Sequence, residues 1–391
     1  MKIYYKNWRL FLIFLFLFLS IAAIVSRMVY VQVEQGNFLL QKGNNQNTSE
    51  RVIKFKRGSI YDKNGIPLAI SITGFDLFAL SGLSEDDFLK IKNTLKLNDL
   101  EYKSFNKKSL IKNSLSFEEM RKVRSLRIDR LELEKTYKRH YPLGEQVAPL
   151  VGFSGRDGYG LEGLEKSYNS ILTGKPLKER VLRDGARSTI QRLEVLEFGE
   201  NSKDIYLTID SNIQYIAYKY LVEAIKNNDG TGGTVIILDN SAKEVLALAS
   251  YPSYNPNNPM RSIKKNRAFL ESYEPGSIVK PLALAGAIEK NLIDIDTELE
   301  LPIKIEVDGN IINDRKKYGQ LKAYEIIKES SQVGATQISF LLGAERLIDN
   351  YKKFGFSKPV NINFPSTSFG EITSRDEISD IELATLGYGY G

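Results

Sequence analysis

The longest apolar run in the chain, LFLIFLFLFLSIAAIVS at residues 10–26, shows no polar face, and after Arg27 it resumes as MVYVQV. As a helix, residues 10–26 span roughly 25 Å, and a snorkelling Arg27 lets the segment cross a hydrocarbon core. Lys2, Lys6 and Arg9 precede it. By the positive-inside rule residue 1 is cytoplasmic and the body beyond about residue 33 is outside. A cleaved signal peptide is the rival reading, but the apolar core is too long and no small-x-small cleavage site follows. Residues 34–54 are polar and read as a spacer. RGSIYDKNGIPLAIS (57–71) then alternates as two strands around an Asp62–Gly65 turn. From about 85 to 140 lysines and glutamates crowd between leucines at helical spacing, the pattern of a solvated helical face.

The pattern changes near residue 203. DIYLTID (204–210) reads as a strand, and Asp210 or Ser211 can cap a following helix. Ile213, Ile216, Ala217, Tyr220, Leu221 and Ala224 form one apolar face of that helix. GGTVIILD, the turn NSAK and EVLALAS predict an antiparallel pair. Helix and sheet of this kind make an α+β domain. The expected organisation is a tail and transmembrane anchor over 1–33, a second domain over 34–200 and a third over 201–391.

Composition removes whole chemistries. The chain has no cysteine, which excludes thiolate nucleophiles, disulfides and Cys-ligated metals. Its one histidine, His140 in YKRHYPLG, would have to serve any Ser-His-Asp triad, so a hydrolase or acyl transferase here needs a lysine or carboxylate base. A net charge of +6 in 391 residues is modest and scattered; it suits an anionic membrane surface and does not make a nucleic-acid binder. GYGLEG (158–163) matches G-x-G-x-x-G, but SGRD precedes it in place of a strand, so it reads as a glycine turn leading into a helix.

One segment combines reactive groups with burial. In SYEPGSIVKPLALAGAIEK (272–290), Ser277 and Lys280 open an apolar run after a Pro-Gly turn. Ser-x-x-Lys also occurs at Ser104–Lys107, Ser109–Lys112 and Ser262–Lys265, all in polar surroundings. Residues three apart share a helix face, burial favours a neutral amine, and a helix amino-terminus favours negative charge near Ser277. Pro281 removes a first-turn N–H, a local loss that a purely structural helix has little reason to carry. The residues alone leave open the plain alternative of a Ser277 cap and a solvated Lys280.

YEPGSIVKP, preceded by ASYPSYNPNNP and NRAF, resembles the nucleophile region of class B penicillin-binding proteins, the anchored transpeptidases that crosslink bacterial peptidoglycan. RGSIYDKNGIPLA resembles that family's amino-terminal hairpin motif, and YPLGEQVAPLVGF with GLEGLEKSYNSILTG its pedestal motifs. DIYLTIDSNIQ and GGTVIILDNSAKEVLALASYPSYNPN resemble the start of its transpeptidase domain. The Glu-Pro-Gly-Ser form leans toward the division-specific branch, the penicillin-binding protein 3 type.

The resemblance implies an extended pedestal and dimerisation domain, then a partial serine penicillin-recognising transpeptidase domain of antiparallel sheet and helices. It implies Ser277 as nucleophile, Lys280 as base, and Ser330 of ESSQVGAT as proton relay. Gln332 stands at the substrate-binding asparagine position of Ser-x-Asn, one methylene longer with the same amide groups. The SYN strings at 167 and 253 are decoys. Lys-Thr-Gly, the third family motif, is absent, and the chain is expected to stop partway through the domain, before that motif. The implied partners are stem pentapeptides, β-lactams, the cytoplasmic membrane and other division-machinery membrane proteins, with no cofactor or metal. The other expectation, from a different class, is a catalytically defective division scaffold.

Overall fold

A computed structural model of the chain describes residues 4–38, 47–53, 55–97, 101–155, 157–183, 189–259, 265–372 and 378–390. Lys2 of the basic flank and Ser262 of the third Ser-x-x-Lys string lie outside the described residues. The chain divides into two compact units, residues 1–58 with 170–204, and residues 59–169 with 205–391.

In the first unit the apolar run forms the helix Tyr4–Val29, continued by a π-helical turn at Tyr30–Glu34. Within Trp8–Glu34 the most apolar 18-residue window has a mean hydropathy of 2.5, and no residue of it is buried against protein. The helix is long and apolar enough to cross a membrane. The same unit holds a three-stranded antiparallel sheet with Leu177–Arg183 between Thr48–Ile53 and Thr189–Glu197.

The second unit begins with the expected hairpin: Ile60–Tyr61 pairs antiparallel with Pro67–Ala79. Asp62 closes the turn, its Oδ1 accepting the backbone N–H groups of Asn64 and Ile66 at 2.8 and 2.7 Å. Gly65 follows at φ 80°, a left-handed position that glycine fills without a Cβ penalty. The strand expected over 204–210 shortens to Ile205–Tyr206, which pairs parallel with Ile60–Tyr61.

The charge-rich stretch from 85 to 140 is only partly helical. Glu85–Leu95 and Phe117–Ser125 are helices, but Ser109–Leu115 and Leu131–His140 are strands on opposite sides of Pro67–Ala79. Ile111 and Leu115, the buried pair of the first strand, lie four apart, a spacing that fits a helix face and a strand face equally. Long-range pairing decides between them. The glycine-rich 158–163 string does lead into a short helix, Gly163–Ser167, as expected.

Asp210 caps the helix Ser211–Asn227, its side chain accepting from the N–H groups of Asn212 and Ile213. The buried stripe differs from the one read from apolar residues. It runs through Gln214, Ala217, Leu221 and Ile225, whereas Ile216 is 51% and Tyr220 59% exposed. Gln214 explains the rotation. Its Nε2 donates to the carbonyls of Gln146 and Leu248, and its Oε1 accepts from Leu248 N–H. A fully satisfied amide is a core residue that a hydrophobicity pattern counts as surface. Gly233–Asp239 and Glu244–Tyr251 pair antiparallel as expected, and Ala247 and Ala249 pack on Ala217, Leu221 and Ile225.

The last core is helical. Val279, Ala283, Leu284 and Ala287 of the Lys280 segment meet Ile326, Val333, Ile338, Leu342 and Leu347. This cluster anchors the elements that carry the candidate site.

Candidate active site

Pro275 and Gly276 turn the chain into a 3-10 segment, Gly276–Val279, that runs directly into the helix Lys280–Glu289. In a 3-10 turn side chains three apart eclipse one another, so Ser277 and Lys280 lie along one edge. The backbone N–H of Lys280 donates to the Ser277 carbonyl. Ser277 does not cap a helix: neither segment has a side-chain cap, and its hydroxyl is exposed with no hydrogen bond among the described residues. Pro281 falls in the first helical turn. An N–H there has no intrahelical acceptor anyway, so the proline costs the helix nothing and gives no argument about function, contrary to the expectation from sequence.

Lys280 is 2% exposed, which removes the reading of a solvated surface lysine. Its Nζ donates to the Ser330 carbonyl at 2.6 Å and to Ser330 Oγ at 3.1 Å. Burial lowers its pKa to about 8 from the usual 10.5; Asp314 opposes that shift and Arg315 adds to it. A neutral amine has two N–H donors and one lone pair. With both donors directed at Ser330, the lone pair is left for a further partner.

Ser330 ends the helix Ala323–Glu329 in a left-handed conformation, φ 57°, and the helix Gln332–Leu342 starts two residues later. That backbone turn, with its two helix ends facing each other, places both the carbonyl and the hydroxyl of Ser330 on Lys280. Gln332 is half-buried and follows in the same turn, its backbone N–H donating to Asp314 Oδ1 at 2.6 Å. Ser277, Lys280, Ser330 and Gln332 are thus brought onto three consecutive helix ends.

The remaining candidates fall elsewhere. His140 pairs with Ile70 at the end of a sheet strand. Lys112 binds the Glu119 carboxylate at 2.7 Å, and Ser253 Oγ donates to the Glu145 carbonyl. Two contributors were not visible in the sequence. Asp314, in the polar string NDRKK, is buried behind Ser331 and Gln332. Gly389, at φ 92°, accepts the Gly276 N–H at 3.1 Å and so braces the turn before Ser277. An aspartate next to lysines reads as surface, and nothing local ties residue 389 to residue 276.

A buried lysine of lowered pKa, bonded to one serine and three residues after another, in a chain that also carries a long apolar helix, defines a class: membrane-anchored enzymes of serine acyl transfer. Residues 233–391 match the penicillin binding protein transpeptidase domain, and residues 52–207 the penicillin-binding protein dimerisation domain. The chain is 33% identical to the probable peptidoglycan D,D-transpeptidase PenA of Neisseria gonorrhoeae, over 99% of this chain and 69% of that protein. It is 29% identical to the peptidoglycan D,D-transpeptidase FtsI of Escherichia coli K12, over 98% and 68%. In fold it resembles a penicillin-binding protein (PBP2) solved in complex with MreC from Helicobacter pylori, at a TM-score of 0.72 and 22% identity, covering 88% of this chain and 73% of that one. The chain belongs to the class B penicillin-binding proteins of the FtsI type, the peptidoglycan D,D-transpeptidases.

Proposed function

We propose that this transpeptidase crosslinks stem peptides in septal wall synthesis, with Ser277 as nucleophile, Lys280 as base and Ser330 as relay. The observation that carries this is the buried Lys280 amine, hydrogen-bonded to Ser330 and three residues after Ser277 where the 3-10 segment meets the helix. Ser277 Oγ attacks the penultimate D-Ala carbonyl of a pentapeptide as its proton passes to Lys280 Nζ. The C–N bond to the terminal D-Ala breaks, and the leaving amine takes that proton through Ser330 Oγ. The resulting acyl ester is resolved by an amine of a neighbouring stem, which restores the Ser277 hydroxyl. A β-lactam follows the first half: its ring amide opens, and the tethered amine stays in place.

Gln332 fits the role of a donor and acceptor for the substrate amide. Residues 1–33 serve as tail and anchor with residue 1 in the cytoplasm, 34–200 as the pedestal on which membrane proteins of the division machinery dock, and 201–391 as transpeptidase domain. Gln332 in the asparagine position favours a second reading, an anchored division scaffold without catalysis, because a shift of about 1 Å in a positioning group costs on the order of a hundredfold in rate.

The full chain in detergent micelles, treated with a fluorescent penicillin and digested, is expected to carry the label on the Ser277 peptide. No label, or a label unchanged in Ser277→Ala, leaves the scaffold reading. Only the neutral amine can accept the serine proton. The labelling rate is therefore expected to rise about tenfold per pH unit below about pH 8 and to level off above it. A rate that stays flat from about pH 6 to pH 9 would remove Lys280 as the base.

A further inference from the structure

Asp314 follows the strand Asn310–Asn313 and is 6% exposed. Its backbone N–H donates to the Ile303 carbonyl at 2.9 Å, which fixes its position relative to the neighbouring strand. Its carboxylate has three donors. Ser331 Oγ donates to Oδ2 at 2.6 Å, Gln332 N–H to Oδ1 at 2.6 Å and Val333 N–H to Oδ1 at 3.3 Å. Ser331 Oγ also accepts the Gly334 N–H at 2.8 Å, so hydroxyl and carboxylate together take up three of the first N–H groups of the helix Gln332–Leu342.

We propose that Asp314 is a positioning residue for the serine chemistry, clamping the three residues after Ser330 so that the Ser330 carbonyl and hydroxyl stay on Lys280. This rests on the roles assigned above to Ser277, Lys280 and Ser330.

Capping by itself does not require this residue. Ser331 alone caps the helix, as a serine commonly does, and a buried carboxylate carries a desolvation cost that a neutral side chain avoids. No ion pair offsets that cost among the described residues; the carboxylate is held by hydrogen bonds and the helix amino-terminus. What the clamp adds is geometry at one backbone position. Ser330 is a non-glycine residue at φ 57°, a conformation that persists only where its surroundings enforce it. With residue 331 fixed by its hydroxyl and residues 332 and 333 by their N–H groups, the turn has little freedom to relax.

The charge has a second effect. Asp314 and Arg315 are the charged groups that act on Lys280, with opposite signs. Burial weakens the amine as a base, and the carboxylate restores part of its proton affinity. A base is most effective with a pKa near working pH, so an unopposed fall would leave Lys280 neutral but a poorer acceptor.

Two readouts on the full chain in detergent micelles test this. One is the titration of the Lys280 side chain, followed by its 13C-labelled Cε resonance and assigned with Lys280→Met. The other is the rate of labelling by fluorescent penicillin, resolved into an encounter constant and an acylation step. Asp314→Asn keeps acceptors for the backbone N–H groups but removes the charge. It is expected to lower the Lys280 titration midpoint and, above about pH 9 where the amine is neutral in both chains, slow the acylation step about tenfold, with the encounter constant unchanged. Asp314→Ala is expected to slow it about a hundredfold, and adding Ser331→Ala to that variant should cost little more, since both act through one turn.

An Asn variant with the wild-type midpoint and acylation step overturns the proposal, as does a loss confined to thermal stability. If the wild-type chain takes no label, the enzymatic assignment fails, and the titration alone decides the effect of Asp314 on Lys280.

Discussion

Lys280→Met is expected to slow acylation of Ser277 by about a factor of 10²–10⁴ while leaving the protein folded and more heat-stable than wild type. Methionine fills nearly the same space along the same stem and suits a site that is 2% exposed. What disappears is the lone pair that takes the serine proton. The two acceptors on Ser330 lose their donor, but Ser330 is exposed and water replaces it.

The gain in stability follows from linkage. In the folded chain the amine titrates near 8, and in the unfolded chain near 10.5. Between those values the unfolded state binds more protons, so wild-type stability rises with pH across that window. Below about pH 8 the folded state carries the full disadvantage of a buried ammonium. Lys280→Met removes the penalty and the slope together. Rapid-mixing kinetics with a fluorescent penicillin, and melting curves from about pH 7 to pH 10, measure both. A variant that acylates at the wild-type rate would show that another group takes the proton.

Gly389→Ala is expected to slow the same acylation about a hundredfold, although residue 389 carries no chemistry. At φ 92° alanine is strained, and its Cβ would run into the backbone carbonyl and nitrogen of Gly276. Gly276 is itself at φ 64° and immediately precedes Ser277, so any retreat of that turn moves Ser277 relative to Lys280. The control is Gly370→Ala. Gly370 has a similar φ of 68°, but a Cβ there meets open space. It shares the backbone strain without the collision, and its acylation rate should stay near wild type. Equal rates for the two alanine variants would mean that the Gly276–Gly389 contact does not hold Ser277 in place.

Gln332 separates what chain order shows from what geometry shows. Its place two residues after Ser330 was legible, and so was its departure from asparagine. Its backbone, however, is held by a carboxylate 18 residues earlier. The methylene that distinguishes it from asparagine therefore extends from a fixed point, and any change in reach falls on the side-chain amide alone.

Several elements were set by local chemistry. The Asp62–Gly65 turn closes through hydrogen bonds within five residues, and Asp210 caps its helix through the next three. The apolar run at 10–26 needs no neighbour to be a helix, because in lipid a helix satisfies its own backbone. These were readable because the interactions that stabilise them lie inside the window being read.

The sequence by itself determined the apolar helix, the hairpins and the family, since each depends on short-range periodicity or on a string of residues that stays together. Only the tertiary structure decided which lysine is buried, which stripe of the Ser211–Asn227 helix faces inward, and which strands replace helices between 85 and 140. The physical reason is common to all three. Desolvation, strand pairing and the satisfaction of a buried amide are properties of neighbours brought in from far along the chain: Ser330 for Lys280, Leu248 for Gln214, Pro67–Ala79 for the missed strands.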